Sequence, residues 1–327
     1  MKKPSIKDVA NKAGVSATTV SRYLNNRGYI SEYTKEKIMQ AMEKLRYYPN
    51  EVARSLFTNQ SNLIGVIFPT TNNPFFGELI FHIEDELYKK GKRVLLCNSI
   101  NEIEVEKDFL DMLRSKIVDG IIVGSHNEVI ADYQIPDLPI VAVDKQAGHD
   151  IPNISCDNYA GGMLAVEELV NKKCEHIIYL SGAEEHSKEM NPRETAYIEK
   201  MKSLNREVMI EIIPFSNSID EKREKSHAIF EKYSKIDGII AGDDMMAAVV
   251  LNVVKAKGMR IPEEVKLVGF DGAKTTLSLL PELTTIQQPI AEIAKQAVDL
   301  LMLEIESGKR IPQEVRLPVK LIQGKTT

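Results

Sequence analysis

A short polar stretch near the start of the chain carries side chains suited to contacts with nucleic acid. Small or hydrogen-bonding residues recur there at helical spacing, so that one face of a helix would present Ala17, Thr18, Ser21, Arg22 and Asn25. Side chains of these types can reach base edges and phosphates in the DNA major groove. We therefore predict a DNA-recognition surface on this face.

Two helices and a sharp turn are needed to position that face. Apolar residues at helical spacing follow Ser5, which can cap a first helix, and Gly14 allows the left-handed conformation at which that helix ends. Ser16 can cap a second helix, whose Val20 would pack back against the first. This order predicts a helix-turn-helix; the alternative is a pair of ordinary capped helices in an enzyme.

A third helix and a short segment follow the helix-turn-helix. Ser31 or Thr34 can cap a third helix that closes a three-helix head, and Pro49 ends it. Asn50 can then cap a segment of about two turns at 51–57, which is too short to be stable alone. We expect this hinge to become helical only against a second copy and DNA; the alternative is a simple linker turn.

From residue 63 onward the pattern alternates between apolar runs and helical periodicity. The predicted strands are 63–68, 94–97, 120–123 and 140–143, then 176–180, 208–213, 238–241 and 266–270, with helices between them. A helix at 290–306 and a last strand at 315–322 follow. Buried parallel strands with crossover helices fit this order, so we predict two α/β lobes between which the chain crosses more than once.

Two such lobes would face each other across a cleft, because open α/β sheets bind ligands beyond the carboxyl ends of their strands. The residues that follow the predicted strands are 69–76, Ser125, His126, Asp144, Ser181, Gly182, Phe215, Asp243, Asp244 and 270–272. Aromatic rings beside carboxylates suit sugars. The alternatives are a core role for each Phe and helix capping for Asp243 or Asp271.

Charge is distributed unevenly along the 327 residues, which suit two or three compact units. Residues 1–60 carry eleven Lys or Arg and five Asp or Glu, a net charge of +6, whereas the remainder carries −11. A basic head on an acidic body indicates that the head alone meets nucleic acid.

Several other classes of protein are disfavoured. We expect a cytoplasmic protein without a membrane segment, because no signal peptide opens the chain and no apolar run approaches about 18 residues. Cys97, Cys156 and Cys174 lack CxxC spacing, so we expect reduced buried thiols, no metal site and no cofactor. Without a phosphate-binding glycine motif or a suggested Ser/His/Asp set, the chain is not expected to be an enzyme.

These features together resemble the LacI/GalR family of bacterial transcription repressors over essentially the full length. The matching segments are IKDVANKAGVSATTVSRYLN, YYPNEVARSL, LIGVIFPTTNNPFF and LVGFDG followed by LTTIQQP. The resemblance implies a helix-turn-helix head at 1–49, a hinge helix and linker at 50–61, and a periplasmic-binding-protein-like core at 62–327. Lobe one would span about 62–159 and 291–318, and lobe two about 160–290 and 319–327.

The resemblance also implies how DNA is bound. A homodimer would read a pseudo-palindromic operator, with one head on each half-site. Ala17, Thr18 and Arg22 would read bases, and the phosphate contacts would come from Ser16, Thr19, Asn25 and Asn50. Ser21 and Ala53 complete the expected DNA contacts, and paired Leu56 side chains would wedge the minor groove open.

The resemblance places the effector, a sugar or sugar phosphate, between the lobes. Its implied contacts are Phe75, Arg193, Phe215, Asp243 and Asp271. Many relatives have Asn where this chain has Asp243, which favours a neutral ligand rich in hydroxyls. The tail helix, with Met302, Leu303 and Glu304, lacks the arginines that bind a phosphorylated carrier protein in catabolite-control relatives, so that partner is not expected.

Among subtypes, the chain looks most like repressors of sucrose or ribose operons, through GYIS, YYPNEVARSLF and NNPFF. We expect an inducing sugar, sucrose-like first and ribose-like second. The alternatives are a non-sugar corepressor such as a nucleobase and, from another class, a dinucleotide-dependent enzyme.

Overall fold

A computed structural model describes residues 4–25, 27–48, 60–99, 102–124, 133, 138–148, 150–183 and 191–327. The chain divides into two compact units, Met1–Ser61 and Asn62–Thr327. The predicted contacts Asn50, Ala53, Leu56, Ser125 and His126 lie outside the described residues.

In its described residues the first unit contains three helices, and serine side chains cap their starts as the sequence predicts. They are α1 (Ile6–Ala13), α2 (Ala17–Leu24) and α3 (Glu32–Leu45). The hydroxyl of Ser5 accepts from the Asp8 amide in a capping box, and Gly14 ends α1 with a φ of 68°. The hydroxyls of Ser16 and Ser31 cap α2 and α3. The helix-turn-helix prediction is confirmed.

A small apolar core holds these helices together. It consists of Val9, Ala10, Ala13, Val20, Ile38 and Ala41. Val20 is the buried member of α2, and the partly buried Tyr23 and Leu24 pack beside it. The exposed residues of α2 are Thr18 and Arg22.

The second unit alternates strands and helices. Its first part contains β1 (Leu63–Phe68), α4 (Pro74–Lys89), β2 (Arg93–Asn98), α5 (Ile103–Arg114), β3 (Gly120–Val123), β4 (Ile140–Val143) and β5 (Asn153–Cys156). Its second part contains α6 (Asn158–Asn171), β6 (Ile177–Ser181), α7 (Pro192–Ser203), β7 (Met209–Ile212), α8 (Ile219–Lys232), β8 (Gly238–Ala241), α9 (Asp244–Ala256), β9 (Lys266–Asp271), α10 (Lys274–Leu279) and β10 (Thr284–Gln287). The tail contains α11 (Ile290–Ser307), β11 (Glu314–Leu317) and β12 (Lys320–Ile322).

Among the described residues the strands form two six-stranded sheets, one in each lobe. Their orders are β11-β5-β4-β3-β1-β2 and β12-β10-β9-β8-β6-β7. All neighbouring strands are parallel except β12, which runs antiparallel to β10. Within the described residues the chain passes between the sheets three times: from β5 to α6, from β10 to α11 and from β11 to β12.

The tail departs from the prediction. A single strand at 315–322 is wrong, because β11 and β12 are separate strands that lie in different sheets. Pro318 stands between them and has no N–H to donate to a strand partner, which favours a break at this point. The sequence reading also missed β5, α10 and β10, each of six residues or fewer.

Buried side chains run from one lobe into the other. One apolar cluster includes Ile64 and Phe76 of lobe one together with Ala165, Phe270 and Ile286 of lobe two. The lobes therefore meet through packed side chains as well as through the three crossings. None of the described helices is long and apolar enough to cross a membrane.

Candidate functional site

The outer face of α2 presents the predicted DNA contacts. Thr18 and Arg22 are exposed, and Ala17, Ser21 and Asn25 are partly exposed on the same side. Their spacing of one, four, five and eight residues from Ala17 keeps them on one helical face. Ala17 also packs against the head core, whereas the exposed Thr18 and Arg22 can contact DNA without disturbing that core.

Hydrogen bonds fix the two ends of α2. The Ser16 and Thr19 hydroxyl oxygens lie 2.8 Å apart, and the Thr19 amide donates to the Ser16 hydroxyl. At the other end the Asn25 side-chain amide donates to the Ser21 carbonyl oxygen over 2.9 Å. These bonds hold Ser16, Thr19 and Asn25, three of the predicted phosphate contacts, at the ends of α2.

The sequence reading missed an exposed aromatic residue in the head. Tyr29, in the turn between α2 and α3, is 95% exposed and contributes nothing to the head core. Its position directly after the predicted recognition helix, beside exposed Arg27, was the available signal.

Arg193 is the centre of the candidate effector site. Its side chain belongs to α7 and is buried, with 7% of its surface exposed. Nε donates to Oδ1 of Asn158 over 2.6 Å, and Nη1 donates to the Gly242 carbonyl oxygen over 3.0 Å. Nη2 lies 3.9 Å from Oδ1 of Asp144, and the guanidinium covers the Phe270 ring. Burial opposes the charge, but Asp144 and other groups raise the pKa of Arg193.

Asp271 ends strand β9 and pairs with Gln288. Its Oδ1 accepts from Nε2 of Gln288 over 2.9 Å, and its carbonyl oxygen accepts from the Gln288 amide over 3.0 Å. Burial raises the pKa of Asp271 well above its ordinary value, against the opposing effect of Arg193. Oε1 of Gln288 is buried and has no hydrogen-bond partner among the residues that the structure describes.

Two adjacent carboxylates at the start of α9 have different roles. Asp243 caps the helix, since its Oδ1 accepts from the Met246 amide over 2.6 Å. Asp244 is buried; it accepts from the Thr285 hydroxyl over 2.6 Å and from the Gly272 amide over 2.8 Å. Burial raises the pKa of Asp244 to about 7. Asp244 thus braces the turn that carries Asp271.

Aromatic rings of the two lobes contact each other. Phe76 of α4 meets Phe215 of lobe two edge to face, with ring centroids 5.8 Å apart. Phe75 is buried beside Phe76, with centroids 5.2 Å apart, so the ring that reaches Phe215 belongs to Phe76. Nζ of Lys222 donates to the Phe215 carbonyl oxygen over 2.9 Å, which fixes the loop after β7.

The structure brings together some of the predicted contacts and adds others. Arg193, Asp243 and Asp271 interact electrostatically, and Asp244 belongs to the same cluster. Asn158 and Gln288 were not predicted from the sequence, because they follow strands β5 and β10, which were not predicted either. The other candidates were chosen because they follow the ends of predicted strands. The same criterion would have selected Asn158 and Gln288 if these two strands had been predicted.

The cysteines are free and buried, as predicted for Cys97, Cys156 and Cys174. Burial raises the pKa of the Cys156 thiol to about 12. In the part of the chain that the structure describes, no group of three or more His, Cys, Asp or Glu side chains is arranged to hold a metal ion.

Comparison with known proteins identifies the family. Residues 5–50 match the description "Bacterial regulatory proteins, lacI family", and residues 166–327 match "Periplasmic binding protein-like domain". A sucrose operon repressor from Pediococcus pentosaceus is 41% identical over 325 residues, which cover 99% of both chains. The chain belongs to the LacI family. Another relative of this LacI-family chain is the ribose operon repressor of Bacillus subtilis strain 168, 36% identical over 99% of this chain and 98% of that one.

Solved LacI-family structures share the architecture. The lac repressor dimer bound to operator and the anti-inducer ONPF aligns with a TM-score of 0.84 at 24% identity, covering 100% of this chain and 99% of that chain. A periplasmic binding protein/LacI transcriptional regulator from Alkaliphilus metalliredigens QYMF, complexed with D-xylulofuranose, has a TM-score of 0.71 at 31% identity, covering 81% of this chain and 99% of that chain. The predicted fold class is confirmed.

Proposed function

We propose that this chain is a DNA-binding repressor of a carbohydrate-utilisation operon, switched by a sugar bound between its two lobes. The observation that carries the proposal is the buried cluster of Arg193 and Asp271 in lobe two, which Asp144 of lobe one approaches, in a chain whose first unit contains the predicted recognition helix α2. The similarity to sucrose and ribose operon repressors supports the same function.

DNA recognition belongs to α2. Its Ala17, Thr18 and Arg22 would read base edges in the major groove, while Ser16 and Thr19 at its start would contact phosphates. One short helix contacts too few base pairs for specificity, so a homodimer would read two half-sites of a pseudo-palindrome. The minor-groove wedge formed by paired Leu56 side chains stays a prediction.

The sugar would bind through hydroxyls and ring faces. Asp271 and Asp243 can accept from hydroxyl groups, Arg193 can donate through Nη2, and Phe215 with Phe76 can cover an apolar sugar face. Sucrose is the first choice, because sucrose operon repressors are 41% and 39% identical to this chain. Ribose comes second, with ribose operon repressors at 37% and 36%.

Switching needs only a modest difference between two states. A sugar that binds one arrangement of the lobes better than the other shifts the population toward it. A coupling free energy of about 1.4 kcal/mol between sugar binding and operator binding changes operator affinity tenfold. We propose an inducer, which weakens operator binding, and a cytoplasmic protein without catalytic activity.

Site selection and titration would test the function. The full-length protein should select a pseudo-palindromic sequence from random DNA, and sucrose or ribose should weaken its binding at least tenfold in fluorescence anisotropy. Recovery of unrepeated half-sites would contradict the dimeric mode. A non-sugar corepressor such as a nucleobase is the alternative. A nucleobase that tightens operator binding would favour it over the inducing sugar.

A further inference from the structure

We propose that the effector is an uncharged sugar and that the cleft rejects the phosphorylated form of the same sugar. This inference rests on the proposed function and names the ligand class of the same site. Three observations support it: the hydrogen bonds that Arg193 already makes within the protein, the carboxylates around Arg193, and Oε1 of Gln288, which has no hydrogen-bond partner among the described residues.

The guanidinium of Arg193 is already engaged by the protein. A phosphate is held most strongly by two parallel N–H donors on one edge of an arginine. Nε, on one edge, donates to Asn158, and Nη1, on the other, donates to the Gly242 carbonyl oxygen. The Phe270 ring covers one face, and 7% of the residue surface is exposed. Arg193 therefore offers single donors, which suit hydroxyl oxygens better than a phosphate.

The surrounding charge is unfavourable to an anion. Asp144 lies beside Nη2, and Asp271 interacts electrostatically with both Arg193 and Asp244. Burial raises the pKa values of Asp271 and Asp244, which means that this site already disfavours negative charge. A phosphate would add one or two further negative charges in the same low-dielectric region.

The hydrogen-bonding groups of the site also favour a neutral sugar over a phosphorylated one. Gln288 is 3% exposed, and its Nε2 is directed to the Asp271 carboxylate, so its Oε1 needs a donor from elsewhere. A sugar hydroxyl can donate to Oε1 and to a carboxylate, whereas a phosphate dianion carries only acceptors. The buried acceptors of this site are therefore complementary to hydroxyl groups.

Matched pairs of ligands test the inference. Isothermal titration of the full-length protein would compare sucrose with sucrose 6-phosphate, ribose with ribose 5-phosphate, and fructose with fructose 6-phosphate. For the pair that binds, we expect the phosphate to bind at least 100-fold more weakly. Binding of the neutral sugar should also change less than twofold between 50 and 500 mM salt, since no charge is neutralised.

The outcomes separate this inference from the proposed function. Tighter binding of a phosphorylated sugar would overturn the inference while keeping a sugar-switched repressor. Binding of neither member of any pair would overturn both. These measurements use the unaltered protein, so they do not depend on whether a variant folds.

A charge variant tests the electrostatic cause. Asp144→Asn removes the carboxylate beside Arg193, and Asn tolerates the left-handed φ of 66° at this position. The ratio of the phosphate Kd to the neutral Kd should fall at least tenfold. The control is Asp220→Asn on α8, where the side chain is 83% exposed, and the ratio should stay at its original value. An unchanged ratio in Asp144→Asn would contradict the electrostatic explanation.

Discussion

The guanidinium carbon of Arg193 lies 3.6 Å from the ring centroid of Phe270. Helix α6 packs closely against Arg193 and Phe270, because it presents Gly161 to Phe270 and Gly162 to Arg193. A Cβ atom added to Gly161 would lie 2.7 Å from the Phe270 ring, and one added to Gly162 would lie 2.4 Å from the Arg193 carbonyl oxygen. The position of Arg193 therefore depends on the close approach of α6.

The first prediction concerns that approach. Gly162→Ala should lower the free energy of unfolding by about 1–3 kcal/mol, because its new methyl group would meet backbone that cannot rotate away. The control is Gly182→Ala, where an added Cβ would meet nothing within 4 Å. Urea denaturation measures both variants. Equal destabilisation of the two would show that close packing against Arg193 is not the cause.

The second prediction concerns base recognition. Arg22→Ala should cost about 1–3 kcal/mol at one base pair in each operator half-site, if Arg22 makes a good bidentate base contact. Anisotropy titrations against operators changed at single positions would measure the loss and its location. Uniform weakening across all sequences would instead indicate that Arg22 contacts phosphate.

The third prediction concerns the response to sugar. Asp271→Asn should raise the sugar concentration needed for DNA release at least tenfold, since the amide carries no charge and has one oxygen fewer to accept from hydroxyls. Asn is preferable to Ala here because the φ of Asp271 is 113°, a conformation that strains most side chains. Operator binding without sugar should persist. Release at the original sugar concentration would place the effector elsewhere.

The fourth prediction concerns pH. Burial raises the folded-state pKa of Asp244 to about 7, so its contribution to stability is full below the unfolded value near 4 and is lost as the pH rises through about 7. The free energy of unfolding should therefore fall as the pH rises from about 4 to about 7 and level off above that. Asp244→Asn should reduce this slope but not abolish it, because burial also raises the pKa of Asp271. Asp220→Asn, on an exposed side chain, should leave the slope unchanged. Parallel slopes in all three proteins would contradict the assignment.

Strongly apolar strands could be predicted from the sequence alone. Leu63–Phe68, Gly120–Val123, Ile140–Val143 and Gly238–Ala241 agree with the prediction at both ends. Each is a run of apolar residues buried on both faces of a parallel sheet. The helix caps Ser5 and Ser16 could also be predicted, because each hydrogen-bonds to an amide only three residues farther along the chain.

Long-range pairing explains what the sequence did not reveal. Strand β5 (Asn153–Cys156) contains Asn and Ser and is held by β4 and by β11, the latter about 160 residues farther along the chain. Because β5 and β10 were missed, Asn158 and Gln288 had no strand end to mark them. Which phenylalanine of α4 contacts Phe215 depends on how the two lobes pack, and the spacing of apolar residues along the helix does not determine that.

The three passages of the chain between the sheets restrict how the cleft can open. A single connector would let the lobes swivel freely, whereas three connectors restrain them to a bend across the connecting segments. Asn158 lies just after the first passage, and Gln288 lies at the second. A ligand held by these two residues acts close to the axis of that bend. Because the far ends of the lobes lie farther from this axis, a small displacement near it corresponds to a larger movement at those ends.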